Sequence, residues 1–163
     1  MIRSASPRGM RGVSMIEVLV AIVIFSLGLL GLALMQLKGA SFTKDSGARS
    51  VAVLQARSLA DRMQANPQGV TDGDYVWTTG GKPGYTDCSS TSCKPADVAN
   101  NDLNAWLTQM KTALPASAGS AAMGTVLSNG DGTYTITVTW SGQGIAGQSS
   151  ESDSFVFVPR AGG

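Results

Sequence analysis

The segment Gly12-Val13-Ser14-Met15-Ile16-Glu17 and the run behind it, VLVAIVIFSLGLLGLALMQL from Val18 to Leu37, decide the fold. The run contains no Lys, Arg, Asp or Glu. A bilayer core is roughly 30 Å thick and an α-helix rises about 1.5 Å per residue, so about 20 apolar residues can cross it. The run is therefore predicted to form a transmembrane helix.

The charges beside this run are asymmetric. Arg3, Arg8 and Arg11 precede it, and the first 16 residues contain no acidic residue. Basic residues accumulate on the cytoplasmic side of membrane helices, so the pattern predicts a cytoplasmic N-terminus and an exported C-terminus. Glu17 lies at the edge of the apolar run, where an unpaired carboxylate is costly. We therefore expect Glu17 to have a partner and a function.

A short basic leader, a glycine, four residues, a glutamate and a long apolar run resemble the class III signal of type IV prepilins and pseudopilins. The resemblance implies that a prepilin peptidase cleaves between Gly12 and Val13 and that the new amino terminus of Val13 is N-methylated. It also implies that Glu17, the fifth residue of the mature chain, acts in filament assembly. Val13 departs from the commonest first residue, Phe, at a position where the family accepts other apolar residues.

Two stretches are similar to a narrower group, the PilV family of minor pilins, also called type IV pilus modification proteins: GVSMIEVLVA from Gly12 to Ala21 and SLGLLGL from Ser26 to Leu32. This resemblance implies a minor pilin that takes part in assembly or priming of type IV pili, and so in twitching motility or adhesion. The type II secretion minor pseudopilin, subunit I, shares much of the pattern and is the alternative. The implied partners are the prepilin peptidase, other minor and major pilins, and the inner membrane.

Other interpretations of the apolar run at 18–37 remain open. The run could be an uncleaved signal anchor that carries a periplasmic enzyme or binding module. A cleavable secretory signal usually has an apolar core of about 7–15 residues and a small-x-small site, which fits this run poorly. Gly28 and Gly31 are interpreted either as close helix-packing contacts or as places where the helix unwinds at low cost.

Length and charge limit the remaining function classes. Without the leader and the apolar helix, roughly 125 residues remain, enough for one small core. Of the 12 basic residues, three precede Gly12, which leaves nine basic and 11 acidic side chains in the mature chain. No basic patch indicates a nucleic-acid partner.

The chain has two cysteines, Cys88 and Cys93, and no histidine. In an oxidising exported compartment such a pair is expected to form a disulfide. A pair of free thiols and a metal site are the alternatives, and the metal site lacks further His or Cys ligands. Neither a metal nor another cofactor is therefore expected.

The helical pattern continues beyond the membrane. No proline occurs from Lys38 to Asn66, and Asn66-Pro67 is a stop signal because the residue before proline avoids the α region. One helix is therefore predicted from Val13 to Ala65, although Gly39 and Gly47 leave a bend or a break open. Its apolar stripe comprises Val51, Ala52, Leu54, Ala56, Leu59, Ala60 and Met63.

The rest of the chain predicts a small head. Residues 67–100 are interpreted as a loop, Asp97 to Leu114 as a helix with Trp106 in the core, and Asn129 to Gly132 as a turn. The strands are expected at Gly124–Ser128, Thr133–Trp140 and Ser154–Val158, with a glycine-rich turn from Ser141 to Gly147. The period-2 face of the sheet needs an apolar cover, which the helical stripe supplies.

The chain is thus expected to have four parts: a leader at 1–12, a transmembrane and filament-core helix at 13–37, the periplasmic half of that helix at 38–66, and a globular head at 67–163 with the disulfide loop and the sheet. The fold class is α+β, a long N-terminal helix packed on a small antiparallel sheet, which is the type IV pilin fold. We expect a single-pass inner-membrane protein with a periplasmic C-terminal domain that enters the pilus after assembly.

No catalytic arrangement is evident. There is no histidine to act as a base, and no Gly-x-Ser-x-Gly motif. Asn129-Gly-Asp-Gly-Thr resembles part of a calcium loop but lacks the downstream ligands. The protein is therefore not expected to be an enzyme or to bind a small-molecule substrate.

Overall fold

A computed structural model describes residues 12–78, 81, 83–90, 92–115, 123–144 and 147–159, without the side chains of 143–151. The elements, in chain order, are α1 Met15–Ala65, α2 Pro67–Thr71, α3 Pro95–Ala113, β1 Met123–Ser128, β2 Tyr134–Gly144 and β3 Gly147–Phe157. The strands form one antiparallel sheet in the order β1-β2-β3. The predicted α+β class, with a long N-terminal helix and a small antiparallel sheet, is confirmed.

The chain divides into two compact units, residues 1–40 and residues 41–163. In the first unit, every described side chain from Met15 to Ala40 is exposed. The 18-residue window of highest mean hydropathy in α1 reaches 2.8, so this helix is long and apolar enough to cross a membrane. Gly39 and Gly47 both lie within α1, and the helix is not interrupted at either of them.

The first helix ends at Ala65, as predicted, but the residues after it do not form the expected loop. Asn66 instead caps the short helix α2 by accepting a hydrogen bond from Gly69 N (3.3 Å) on its side chain. Pro67 occupies the first turn, where its missing N–H costs nothing. The prediction that residues 67–100 form a loop is therefore wrong at both ends, because α3 also begins at Pro95.

The core lies in the second unit, among α1, α2, α3 and the sheet. It comprises Ala52, Ala56, Leu59, Met63, Val70, Tyr75, Ala99, Leu103, Trp106, Met110, Leu114, Val126, Tyr134, Ile136, Val138 and Trp140. Trp106 is fully buried, as predicted, and its indole N–H donates to the Gln55 carbonyl (3.0 Å). Leu54, which the sequence pattern places in the stripe, is 62% exposed. At about 100° per residue it lies roughly opposite the narrow stripe that begins at Ala52.

The first hairpin agrees closely with the sequence pattern. Tyr134, Ile136, Val138 and Trp140 alternate along the core face of β2, as expected. In the turn from Asn129 to Gly132, both glycines have positive φ. The turn is therefore built on residues that accept the left-handed region.

The second hairpin corrects the prediction. The glycine-rich turn expected from Ser141 to Gly147 is largely strand, because β2 continues to Gly144 and pairs there with Gly147 at the start of β3. Backbone pairing does not depend on the small side chains that suggested a turn. β3 is therefore 11 residues long rather than the five expected at Ser154–Val158.

Candidate assembly site

The N-terminal segment places the Gly12–Val13 peptide bond outside the helix. Gly12, Val13 and Ser14 are exposed and have no regular secondary structure. The Ser14 carbonyl accepts hydrogen bonds from Glu17 N (3.0 Å) and Val18 N (3.3 Å) and so closes the first turn of α1. A peptidase can reach a backbone that is exposed and not hydrogen-bonded in a helix, and the Gly12–Val13 bond meets that requirement.

Glu17 lies in the first turn of α1, where the helix dipole favours a negative charge. It belongs to an i, i+4 row with Val13, Ala21 and Phe25, and within the described residues it has no ion-pair partner. A shallow groove of about 440 Å³ along this row is otherwise apolar. The carboxylate is therefore presented on an apolar surface.

One serine and two glycines interrupt the apolar side chains of this helix, and their surroundings differ. The Ser26 hydroxyl donates to the Ile22 carbonyl (2.7 Å), which satisfies it without water. A Cβ built on Gly28 or Gly31 meets no atom within 4 Å. Nothing in the described chain thus requires glycine at these two positions, and both are open to a second helix.

The two cysteines form a disulfide, with an S–S distance of 2.02 Å. Asn101 of α3 holds the start of this loop, because its side chain donates to the Thr86 carbonyl (2.8 Å) and accepts from Thr86 N (2.9 Å). Thr86 Oγ1 also donates to Asp97 (3.1 Å), whose carboxylate accepts from Lys94 N. The sequence indicated the disulfide but gave no sign of this anchorage, which depends on tertiary contacts.

A polar network around Tyr75, not anticipated from the sequence, connects α1, α2 and α3. The fully buried Tyr75 hydroxyl donates to Asp102 Oδ2 (2.7 Å), and Arg62 Nη1 donates to Asp102 Oδ1 (3.1 Å). Asn66 Nδ2 contacts the Tyr75 hydroxyl (3.3 Å) and the Pro95 carbonyl (2.9 Å). Burial raises the pKa of Tyr75, and the hydrogen bond to Asp102 raises it further. The phenol therefore stays protonated, and its burial indicates a structural role.

Two surface carboxylates of the head accept hydrogen bonds from residues that are close to them in sequence. Asp131 in the β1–β2 turn accepts from the Thr133 hydroxyl and from Thr133 N, and these bonds lower its pKa. Asp87 accepts from Ser89 N, which lowers the pKa of that carboxyl too. In the part of the chain that the structure describes, no three His, Cys, Asp or Glu side chains cluster as metal ligands would.

A cavity of about 420 Å³ lies between the end of α1, α2 and the β1–β2 turn. Tyr134 contributes the titratable group of its wall, and its hydroxyl donates to the Val70 carbonyl. Burial raises the pKa of Tyr134, with a smaller effect from the charge of Asp74. A buried phenol whose hydroxyl proton is engaged in a hydrogen bond to a backbone carbonyl does not make a catalytic centre.

Comparison with known families identifies the N-terminal segment. Residues 7–33 match the family model described as the prokaryotic N-terminal methylation motif. No curated protein and no solved structure matches the chain. The motif indicates a prepilin similar to type IV pilins and pseudopilins, and it suggests a structural protein rather than an enzyme. It spans Gly12, Val13 and Glu17 but does not reach the head.

Proposed function

We propose that this protein is a minor type IV pilin, similar to the PilV family, that takes part in assembling or priming pili and so in twitching motility or adhesion. The observation that carries the proposal is the methylation motif at residues 7–33. It ends inside the apolar half of α1, where every described side chain from Met15 to Ala40 is exposed, and the same chain continues into a head with its own core. A surface of this kind needs a lipid or protein environment.

In the precursor, α1 crosses the inner membrane and the head lies in the periplasm. The arginines before Gly12 stay in the cytoplasm, in keeping with the distribution of basic residues around membrane helices. The prepilin peptidase then cleaves after Gly12, and the Val13 amine is methylated. The exposed, non-helical backbone at this bond supports the proposed cleavage site.

Assembly moves the apolar helix from lipid into a bundle of helices from neighbouring pilins. Gly28 and Gly31 allow another helix to approach closely, since among the described residues only the helix's own backbone lies within 4 Å of a Cβ built at either position. Glu17 pairs with the amino terminus of a neighbouring subunit, because a carboxylate in a low-dielectric core is tolerated when it is paired. This pair fixes the axial register of the subunit.

The head supplies the contacts that distinguish this subunit from others. Residues 88–90 and 92 of the disulfide loop are exposed, and Asn101 ties the segment just before Cys88 to α3 through the Thr86 carbonyl. The loop therefore presents a defined surface to other minor pilins. The type II secretion minor pseudopilin remains the second candidate, because the methylation motif is shared by both classes.

The intact mass and N-terminal sequence of the protein from membranes, with and without prepilin peptidase, test the proposal. We expect a chain that starts at N-methyl-Val13 when the peptidase is present. Replacing Gly12 by leucine should leave the leader attached and serves as the control. A wild-type chain that retains Arg11 and Gly12 would mean an ordinary signal anchor.

The choice between pilus and secretion system needs a second readout. Loss of piliation and twitching in a deletion strain, with secretion unchanged, is expected for a minor pilin. The opposite result would assign the protein to type II secretion.

A further inference from the structure

The two outer edges of the sheet differ in how they are covered. At the β1 edge, Trp77 exchanges two hydrogen bonds with Val126, N to O in both directions and both 2.8 Å. The other edge is formed by β3, and no segment among the described residues pairs with its outer side. Within the described part of the chain, this 11-residue strand thus carries a row of outward backbone groups that no neighbouring strand pairs.

The register shows which groups these are. Val126 directs its N–H and C=O toward Trp77, so its pair with Ile136 is a non-hydrogen-bonded one. Ile136 therefore turns its backbone groups toward β3 and bonds to Phe155. Since the pattern alternates, the backbone N–H and C=O of Asp153 and Phe155 point toward β2. Those of Ser152, Ser154 and Val156 point outward.

β3 contains none of the proline or basic residues that commonly block an edge strand. Natural edge strands are commonly protected by proline, lysine or an unpaired inward charge, and β3 contains no Pro, Lys or Arg. Asp153 on the core side of the strand is not an unpaired inward charge, because it forms a surface ion pair with Arg49 (2.7 Å). Ser152, Ser154 and Val156 are exposed, Val156 by 66%.

We propose that the outer edge of β3 binds an extended segment of another protein, which adds to the sheet as a fourth strand. Main-chain hydrogen bonds to Ser152, Ser154 and Val156 would supply the affinity, as in other cases of strand addition. The inference concerns the head alone and does not depend on cleavage at Gly12, so the two proposals can fail separately.

The side chains of the sheet define the chemistry of this partner. β3 carries Glu151 and Asp153 and no basic residue, so a second copy of the chain would bring acid opposite acid in the antiparallel registers that pair Ser152 with Ser152 or with Ser154. A strand with Lys or Arg opposite Asp153 is favoured instead. Leu127, Thr135 and Val156 form one cross-strand row on the outer face, which favours a Val, Ile or Thr beside Val156.

The test uses the full chain in detergent micelles and residue-resolved amide hydrogen exchange. Before any ligand is added, Ser152, Ser154 and Val156 should exchange at least tenfold faster than Asp153 and Phe155. The probe is the peptide acetyl-TVTTKTK-amide, which places Val beside Val156 and Lys opposite Asp153 in the antiparallel register. Saturating peptide should slow exchange at the three outward amides at least tenfold and leave the other two unchanged.

Two controls isolate the backbone edge. The same peptide N-methylated at its second, fourth and sixth residues, whose amides face Val156, Ser154 and Ser152, should give no protection, because it cannot complete the ladder. Ser154→Pro removes an outward N–H, whereas Ser154→Ala retains it, and both lose the hydroxyl that lies 2.9 Å from Thr137 Oγ1. We expect the alanine variant to bind like the wild type and the proline variant at least tenfold more weakly, with Phe155 still protected.

Three results would overturn the proposal. Slow exchange at the outward amides of the free monomer would show that the edge is already covered. Equal binding by the proline and alanine variants, or by the N-methylated peptide, would place the peptide elsewhere. Protection that increases with protein concentration in the absence of peptide would identify a second copy of the chain as the occupant.

Discussion

Glu17 is the single acidic residue between the amino terminus and Asp45, and it lies on a helix whose described side chains are exposed as far as Ala40. Its position in the first turn of α1 makes the carboxylate acceptable to the isolated helix through the helix dipole. A membrane or filament core removes water, and there the carboxylate needs a cation. The residue is therefore more informative about assembly than about folding.

We expect Glu17→Ala and Glu17→Gln to leave cleavage after Gly12 largely intact and to reduce incorporation into pili at least tenfold. Both variants remove the charge that would pair with a neighbouring amino terminus. The measurement is the amount of processed protein in sheared pili relative to membranes. Gln36→Ala changes an exposed polar residue of the same helix and should assemble normally. Normal amounts of either Glu17 variant in pili would remove the role given to this residue.

Gly124 shows what sequence alone misses at this scale. A Cβ at this position would come within 2.3 Å of Cη2 of Trp106 and 2.5 Å of Cε of Met110, so only glycine lets α3 pack against β1. In the sequence it is one of 20 glycines, and its neighbours indicate only a strand. Glycine is required here because α3 crosses the strand at this point. This contact joins segments that are distant in sequence, so a local sequence pattern does not predict it.

At the scale of elements, strong periodic patterns predict the structure well. The extent of α1, the apolar face of α3 and the buried face of β2 all agree with the spacing of apolar residues, because burial on one side imposes a period of 3.6 or 2. The β2–β3 hairpin is longer than the sequence predicts, since serine and glycine carry no hydrophobic signal. Its length depends on backbone pairing. The open edge of β3 is invisible in the sequence for the same reason.

The Tyr75 network connects α1, α2 and α3 through polar groups, and it gives a prediction for alkaline pH. Burial raises the pKa of Tyr75 above its ordinary value of about 10, and the pKa of Tyr134 is raised too. The protonated phenols therefore stabilise the fold fully below about pH 10, and this contribution falls as the pH rises toward the folded-state pKa. For each phenol that stays protonated in the folded state but ionises in the unfolded state, the free energy of unfolding falls by up to about 1.4 kcal/mol per pH unit.

Tyr75→Phe should lower the free energy of unfolding at pH 7 by about 1–3 kcal/mol, because Asp102 loses a buried hydrogen bond. Between pH 10 and 11, however, the variant should lose less stability than the wild type. Urea unfolding at pH 7, 9, 10 and 11 measures both effects. Tyr85→Phe, at a phenol that is 74% exposed, is the matched control and should keep the wild-type slope. Parallel slopes for the wild type and Tyr75→Phe would contradict the assignment.

For the whole molecule, the division into residues 1–40 and 41–163 predicts that the head folds without the apolar helix. Every buried hydrophobic residue of the core lies at Ala52 or beyond, whereas no described side chain before Ser41 is buried. A fragment 41–163 should therefore be soluble without detergent, form the Cys88–Cys93 disulfide, and unfold within a few degrees of the full chain in micelles. Circular dichroism at increasing temperature measures this.

A shorter fragment, 57–163, tests which part of α1 the head requires. It lacks Ala52, Ala56 and the Gln55 carbonyl that accepts from Trp106. Losing that burial and leaving the indole N–H without its acceptor should cost about 2 kcal/mol or more. If 41–163 failed to fold, the head would depend on the apolar run. If 57–163 were as stable as 41–163, residues 41–56 of α1 would not belong to the core of the head. The expected contrast would instead give α1 two separable tasks, with the first half left to the membrane and the filament and the second half built into the head that they carry.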